Sequence, residues 1–402
     1  MPSAGLRVSV DARPLDIEGV RSQGIGRYAH GLLGALPAVA AERGGRLVLL
    51  RERHISPGVF AGEIPGGVAV RRLRRPPVGR RLVDWPEHVL LPLDLRRARV
   101  QVHHSLSIYR AALYPGVPSV MTMHDVVPLM WPGQYLRSGV MHRTQYRAAR
   151  RARLLLAVSE TARRDVIAHL GVSAERVLHV PEAADARFCP VDPRPARERL
   201  GFDGPYLLYV GGLATRDPRK NVEGLIDSYT QWRRSCARPE RLVLAGPLGA
   251  TGHELRARAQ RAGADAVFTG FVADEELPAL LSGASCFVTA TRYEGFGLPA
   301  LEAICCGTPV VAFDAGAVPE VAGPGCLAVT DGDGAALMRA VARVCDEPAL
   351  CRRLSELGRR HARLYSWRRT AELTWEAYER VAAEKGSPPM PSPSVQGRGS
   401  RP

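Results

Sequence analysis

The chain has 402 residues, 46% of them hydrophobic, with 40 glycines and 32 prolines, which excludes a fibre or a low-complexity chain and fits two α/β domains, each with its own core. Its 55 Lys and Arg outnumber 40 Asp and Glu, for a formal net charge of +15, but no aromatic-interleaved basic stretch or DNA- or RNA-binding motif accompanies that charge, so nucleic acid is excluded as partner. With neither a signal peptide nor an apolar run of about 18 residues, the expectation is a soluble, cytoplasmic protein.

In chain order, the first half alternates short β-branched or leucine-rich runs with longer amphipathic stretches. The runs are Val8–Asp11, Leu47–Leu50, Val68–Arg71, Val100–His103, Val120–His124, Leu154–Ser159 and Val177–Pro181. Such alternation predicts a parallel sheet with crossover helices. The second half repeats the plan at Leu207–Val210, Leu242–Gly246, Val267–Gly270, Cys286–Ala290, Val310–Phe313 and Leu327–Val329. The expected fold is therefore α/β, with two Rossmann-like doubly wound domains whose ligands bind at the carboxyl ends of the strands, in a cleft across which the domains face each other.

The proline-rich, aperiodic stretch PEAADARFCPVDPRPARERLGFDGPY reads as a linker, which places one domain at 1–187 and the other at 188–369. A helix follows over 370–384, its apolar side already begun by Trp367, and 385–402 reads as a disordered tail. The eight cysteines lack zinc-type spacing and read as buried thiols. Two arginine clusters, Arg71–Arg81 and Arg147–Arg153, are candidates for peripheral contact with an anionic membrane, against the plainer reading of a solvated face.

Four motifs carry the candidate chemistry. Gly24-Ile25-Gly26-Arg27-Tyr28 opens a helix and imitates a dinucleotide fingerprint, but 12 residues separate it from the strand end at Asp11, where that fingerprint needs an immediate turn. Close approach of its backbone to a phosphate or sugar is the remaining reading. His124 stands at a strand's carboxyl end, able either to reach a ligand or to cap a local network. His103 and His104 close another strand, with no third group spaced for a metal.

After the strand LLYV, Gly211 and Gly212 lead to Arg219 and Lys220 at the first turn of a helix, where cations oppose the helix dipole unless an anion binds. After the strand CFVTA comes EGFGLPALE, Glu294 to Glu302. Its Gly-Phe-Gly turn exposes a helix N-terminus whose amides, around Gly295, Phe296, Gly297 and Leu298, favour a diphosphate. Glu294 is placed to accept from sugar hydroxyls and Glu302 to clamp a vicinal diol. The one DxD, Asp331-Gly332-Asp333, reads as a helix N-cap rather than a metal clamp.

Taken together, SQGIGRY, HDVVP, AVSETARRDV, VGGL with RKN, GFVADEELPALL, EGFGLPALE and the closing YSWRRTAELTWEAYERV resemble glycosyltransferase family 4 in order and spacing over nearly the whole chain. The resemblance implies the GT-B architecture and a retaining, metal-independent hexosyltransferase of glycan or glycosylated-metabolite biosynthesis, with no cofactor beyond a nucleotide-diphosphate sugar as co-substrate. It implies that Glu294 and the Gly295–Leu298 amides hold the donor sugar and phosphate, that Glu302 binds the ribose, and that Arg219 and Lys220 neutralise the diphosphate. The backbone of Val272 would touch the base, the Gly24 loop the diphosphate, and His124 the sugar. The first domain would take the hydroxyl acceptor, and the last helix would return to it. Two departures stand out: the loop LATRDPR offers both Arg216 and Arg219 to the phosphate, and Glu182-Ala183 stands where many relatives have Asn-Gly.

A mannose-type or a glucose/N-acetylglucosamine-type donor fits these motifs. The rival readings are a nucleotide-sugar epimerase on the same scaffold, which needs no acceptor, and a non-catalytic nucleotide-sugar or polyanion binder, which turns nothing over.

Overall fold

The computed structural model describes residues 5–16, 24–52, 68–73, 85–109, 111–135, 139–235 and 238–384. The chain folds as two compact units, Met1–Glu182 with Trp367–Pro402, and Ala183–Ser366. The first holds a seven-stranded parallel sheet in the order β3-β2-β1-β4-β5-β6-β7, formed by β1 Arg7–Asp11, β2 Arg46–Glu52, β3 Val68–Leu73, β4 Val102–Ser105, β5 Ser119–Met123, β6 Leu154–Ala157 and β7 Val177–His179. The second holds six parallel strands in the order β10-β9-β8-β11-β12-β13, namely β8 Tyr206–Val210, β9 Arg241–Ala245, β10 Ala266–Gly270, β11 Cys286–Thr289, β12 Val310–Phe313 and β13 Cys326–Val329.

Each apolar run of the sequence is a strand, because runs such as LLLA and VVAF are buried along their whole length, as strands with both faces covered by crossover helices must be. Among the helices that accompany these sheets are α1 Gly24–Glu42, α2 Glu160–Leu170, α3 Val222–Ser235, α4 Leu298–Cys305 and α5 Trp367–Ala383. The end signals act locally. Ser159 closes the run after β6 by accepting from Ala162 N at 2.9 Å as the N-cap of α2, and Gly171 ends that helix at φ 63°.

The units part after Glu182, against an expected boundary near 187, while α5 begins at Trp367, where its apolar side was read to begin. Packing sets that start. A Cβ on Gly31 of α1 would lie 2.0 Å from Trp367 Cε2, so the indole already lies flush on α1 at the first residue of α5. Eight residues on, Trp375 repeats the device over Gly45, whose Cβ would lie 2.2 Å from the ring. Ala371, Trp375, Tyr378 and Val381 of α5 then join Val8, Val10, Leu32, Leu36 and Val102 in one buried core.

A further difference concerns β4. Arg99 has φ 52° and Val100 N still bonds to Leu95 O, so the preceding helix ends there and the strand starts at Val102. His103 and His104 therefore sit inside the sheet rather than at its end, 1% and 0% exposed. His104 Nδ1 meets Tyr378 Oη at 2.6 Å and its Nε2 meets Thr122 Oγ1 at 2.9 Å. Tyr28 Oη continues the chain to Thr122 at 3.0 Å. Burial lowers the pKa of His103 to about 4 and that of His104 to about 3, keeping both neutral.

Of the seven described cysteines, all free, Cys286 and Cys306 are buried while Cys189 is exposed, so the buried-thiol reading does not extend to Cys189. Asp333 Oδ1 accepts from Ala336 N at 2.8 Å as an N-cap. Arg71 bonds to Asp94 at 2.8 Å. The arginine run beyond residue 73 and the tail 385–402 lie outside the described residues. No described helix is long and apolar enough to cross a membrane.

Candidate functional site

In the second unit the strand order reverses where β8 lies between β9 and β11, the switch point at which loops leaving the carboxyl ends part and admit a ligand. The loop after β8 begins with two glycines of different character. A Cβ on Gly211 would lie 2.5 Å from Tyr209 Oη, whereas one on Gly212 meets nothing within 4 Å. Gly211 is thus dictated from beneath by the tyrosine, and Gly212 faces open space. Farther along, Asn221 sits at φ 47° and bonds through Nδ2 to Ala290 O at 3.2 Å, tying the entrance of α3 to the end of β11.

A second tie runs the other way. Arg292 N and Thr291 Oγ1 both donate to Arg219 O, at 2.7 and 3.1 Å, so the loop bearing Arg219 and Lys220 is stapled to the loop bearing Glu294. A third loop, after β12, supports Glu294: Ala317 N donates to Glu294 O at 3.0 Å, and Gly316, at φ 61°, approaches so closely that a Cβ would lie 2.5 Å from Glu294 N.

The result is a compact set of paired charges. Lys220 Nζ is ion-paired with Glu294 Oε1, and the two side chains are 26% and 20% exposed. Thr291 Oγ1 lies 3.5 Å from the same carboxylate oxygen. Arg219 forks onto Asp217, Nε to Oδ1 at 3.0 Å and Nη2 to Oδ2 at 2.7 Å, while the more exposed Arg216 pairs with Glu223 at 2.9 Å. Each cation therefore already holds a carboxylate.

Gly212, Asp217, Lys220, Asn221 and Glu223 line a cavity of about 380 Å³ that extends to Thr251 and Leu255. The helix α4 starts from Gly297 at φ 96°, a cap with no side-chain hydrogen bond. Phe296 anchors that turn by packing edge-on against Tyr365, centroids 5.9 Å apart. Glu302, within α4, is only 1% exposed, buried at the place where a ribose contact is expected.

Val272 lines a second cavity, of about 750 Å³, with Arg187, Arg199, Glu275 and Glu276. Arg199 there grips Glu276 at 2.8 Å and Phe271 O at 2.9 Å, and Phe271 is 61% exposed. Of the two cavities, the smaller adjoins Gly212, Arg216 and Lys220.

In the first unit, His124 has both ring nitrogens engaged, Nδ1 with Glu182 Oε1 at 2.9 Å and Nε2 with Leu106 O at 3.0 Å. Burial lowers its pKa, but the hydrogen bond and charge of Glu182 outweigh that, and the net shift is upward. Both contacts suit an imidazolium donating from each nitrogen. Tyr28 packs edge-on against the ring, centroids 4.8 Å apart. Gly24 is the first residue of α1, with nothing within 4 Å of an added Cβ.

The structure brings Lys220, Arg219 and Glu294, singled out in the sequence, together with Asp217, Thr291 and Asn221, and sets Glu182 against His124, neighbours to which sequence reasoning assigned no role in a site. Asp-Pro before the basic pair and Asn after it are turn signals that pointed to two of these. The others depend on pairing across loops far apart in sequence.

Among sequence families, that described as "Glycosyl transferases group 1" matches residues 194–361 and that described as "Glycosyltransferase Family 4" matches residues 22–188. The chain is 35% identical over 245 residues to the MMP alpha-(1->4)-mannosyltransferase of Mycolicibacterium hassiacum, covering 60% of this chain but only 57% of that protein. It is 30% identical over 305 residues to the alpha-maltose-1-phosphate synthase of Mycolicibacterium smegmatis, covering 69% of this chain and 77% of the other. In fold it matches the Anabaena protein HepE, crystallised in complex with UDP-glucose, at TM-score 0.70 and 18% identity, over 93% of this chain and 100% of that one.

Proposed function

Because the chain belongs to the group 1, family 4 glycosyltransferases, we propose that it is a retaining, metal-independent hexosyltransferase that moves a sugar from a nucleotide-diphosphate donor to an acceptor hydroxyl. The observation that carries this reading is the Lys220 and Glu294 pair at the β8/β11 switch point, stapled by Thr291 and bordered by the Arg219 fork and the start of α4. Two cations and a helix N-terminus supply the positive field that a departing diphosphate requires, which makes a metal dispensable. In this reading the second unit holds the donor and the first the acceptor.

The sugar C1–O bond to the diphosphate breaks with its electron pair going to the phosphate oxygen. The acceptor oxygen bonds to C1 on the same face, and the acceptor hydroxyl proton passes to the departing phosphate oxygen. Lys220 and Arg219 stabilise that oxygen as it gains charge, while Glu294, released from Lys220, accepts from the sugar hydroxyls. The mannosyltransferase relative supports a mannose-type donor, and the UDP-glucose complex supports a nucleotide sugar as the donor class. Exposed Arg143 and Arg147 on the helix Gly139–Arg151 support a peripheral contact with anionic headgroups on a cytoplasmic membrane face.

Lys220→Ala is the direct test. Turnover should fall by about 10²–10³ or more, with stability changed by no more than about 1 kcal/mol. A near-normal transfer rate refutes the assignment. A thermal-shift screen with nucleoside diphosphates and their sugars identifies the donor, since binding to the folded state raises the melting temperature. Donor conversion without acceptor would reveal an epimerase, and binding without transfer or hydrolysis a non-catalytic binder.

A further inference from the structure

Phe296 stands between two glycines, Gly295 and Gly297, in the turn that opens α4. Glycine on both sides gives the backbone there the widest intrinsic freedom, and α4 has no side-chain cap at Gly297 to hold its first turn. The ring of Phe296 is the buried anchor of that turn, 5% exposed. What grips this ring therefore sets where the free amides of α4 point.

The grip comes from much later in the chain. Just beyond the helix Pro348–Ala362, backbone bonds from Leu364 N to His361 O at 3.0 Å and from Tyr365 N to Ala362 O at 3.1 Å fold the chain back. That turn leaves Leu364 68% exposed and brings the Tyr365 ring edge-on to Phe296, centroids 5.9 Å apart and planes at 77°. Leucine is the more apolar of the two neighbours, so burial alone would turn Leu364 inward. A ring is favoured instead because an edge-to-face contact adds to the area buried and fixes orientation. Tyr365 is itself held by His361, whose ring is 5.5 Å away and tilted at 67°, with Oη 3.5 Å from Nε2. His361 in turn lies flush on Gly323, where an added Cβ would stand 2.6 Å from Nε2. Three rings thus run from the Gly323 backbone to the turn at Gly297, all within the unit Ala183–Ser366.

We infer that Tyr365 is a positioning residue of the donor site: its ring fixes Phe296, and through it the Gly295–Leu298 amides that receive the diphosphate. The inference rests on the donor reading above and deepens it. Tyr365 acts through Phe296 rather than by contact with the donor.

The test is Tyr365→Leu, titrated calorimetrically with UDP, GDP, ADP and dTDP, with transfer kinetics alongside. A smaller folded fraction lowers the binding stoichiometry, whereas a displaced turn raises Kd at full stoichiometry. Kd for the nucleotide that the wild type binds should rise roughly 3–10-fold, the worth of one edge-to-face pair, and donor KM with it, while acceptor KM holds. Tyr365→Phe keeps the ring and should bind as the wild type does. Tyr365→Met is a second ring-free variant with the same expectation as Tyr365→Leu. In a Phe296→Leu background, which has no ring to hold, Tyr365→Leu should add nothing further. Unchanged Kd in both ring-free variants, an equal loss in Tyr365→Phe, or full additivity with Phe296→Leu overturns the inference while leaving the donor reading intact. Wild-type protein that binds none of the four nucleotides overturns both.

Discussion

Gly45→Ala sets two effects of opposite sign against each other. The added Cβ would lie 2.2 and 2.3 Å from Trp375 Cζ2 and Cη2, and 3.1 Å from Leu6 O. Ordinary carbon contacts are about 3.5–4.0 Å, so the indole has to retreat by roughly 1.3 Å or more. It has little room to do so: Trp375 is 0% exposed, donates from Nε1 to Glu379 at 2.9 Å and packs edge-on against Tyr378 with centroids 5.7 Å apart. Overpacking of this kind destabilises by about 1–3 kcal/mol. Against it stands a gain of about 0.4–1 kcal/mol, because alanine restricts the unfolded chain. The expected net loss of about 1–2 kcal/mol corresponds to a roughly 5–30-fold drop in the folded-to-unfolded ratio. Hydrogen exchange reads it unit by unit: amides of β1, β2, α1 and α5 should lose that much protection, while β8 and β11 serve as internal controls. Unchanged or increased protection in the first unit refutes the claim that Trp375 needs a glycine beneath it.

Three further predictions concern the histidines. Tyr378→Phe removes the hydroxyl 2.6 Å from His104 Nδ1 and should destabilise the first unit by about 1–3 kcal/mol in urea unfolding. His103 and His104, with pKa values depressed to about 4 and 3, contribute stability that is complete above the unfolded value near 6.5 and lost as the pH falls from there through 4 and 3, on the order of 3 kcal/mol from His103 alone. His124 has the opposite sign. Its raised pKa gives stability that is full below 6.5 and lost as the pH rises through the folded value. Glu182→Gln should lower the His124 pKa in an NMR titration and remove that dependence, and an unmoved titration would show that Glu182 does not set it.

Much of this was readable in the residues themselves. Both sheets followed from apolar runs such as LLLA and VVAF, because strands covered on both faces leave an uninterrupted hydrophobic signature. Glu294, Gly297 and Lys220 were visible because glycine turns and helix starts are local events. Illegible features depended on long-range pairing. Nothing near Glu182 in sequence announces His124, 58 residues away, and nothing in a tyrosine inside a strand announces a hydroxyl lodged against Gly211. The β4 boundary was misplaced because Val100 looks like a strand residue, while its N–H closes the turn that ends the preceding helix by bonding to Leu95 O.

The membership of α5 in the first unit also bears on how the protein is made. Residues Ala183–Ser366 are contiguous, so that unit can fold as soon as its last strand and helices leave the ribosome. The first unit's sheet comes earlier but receives Ala371, Trp375, Ala377, Tyr378 and Val381 of its core from a segment that follows the whole of the second unit. Its sheet must wait through the whole synthesis of the other unit with the floor above Gly45 and His104 open. The nascent chain is therefore most vulnerable at its oldest part, and a stop codon before Trp367 would harm the first-made sheet more than the last-made one.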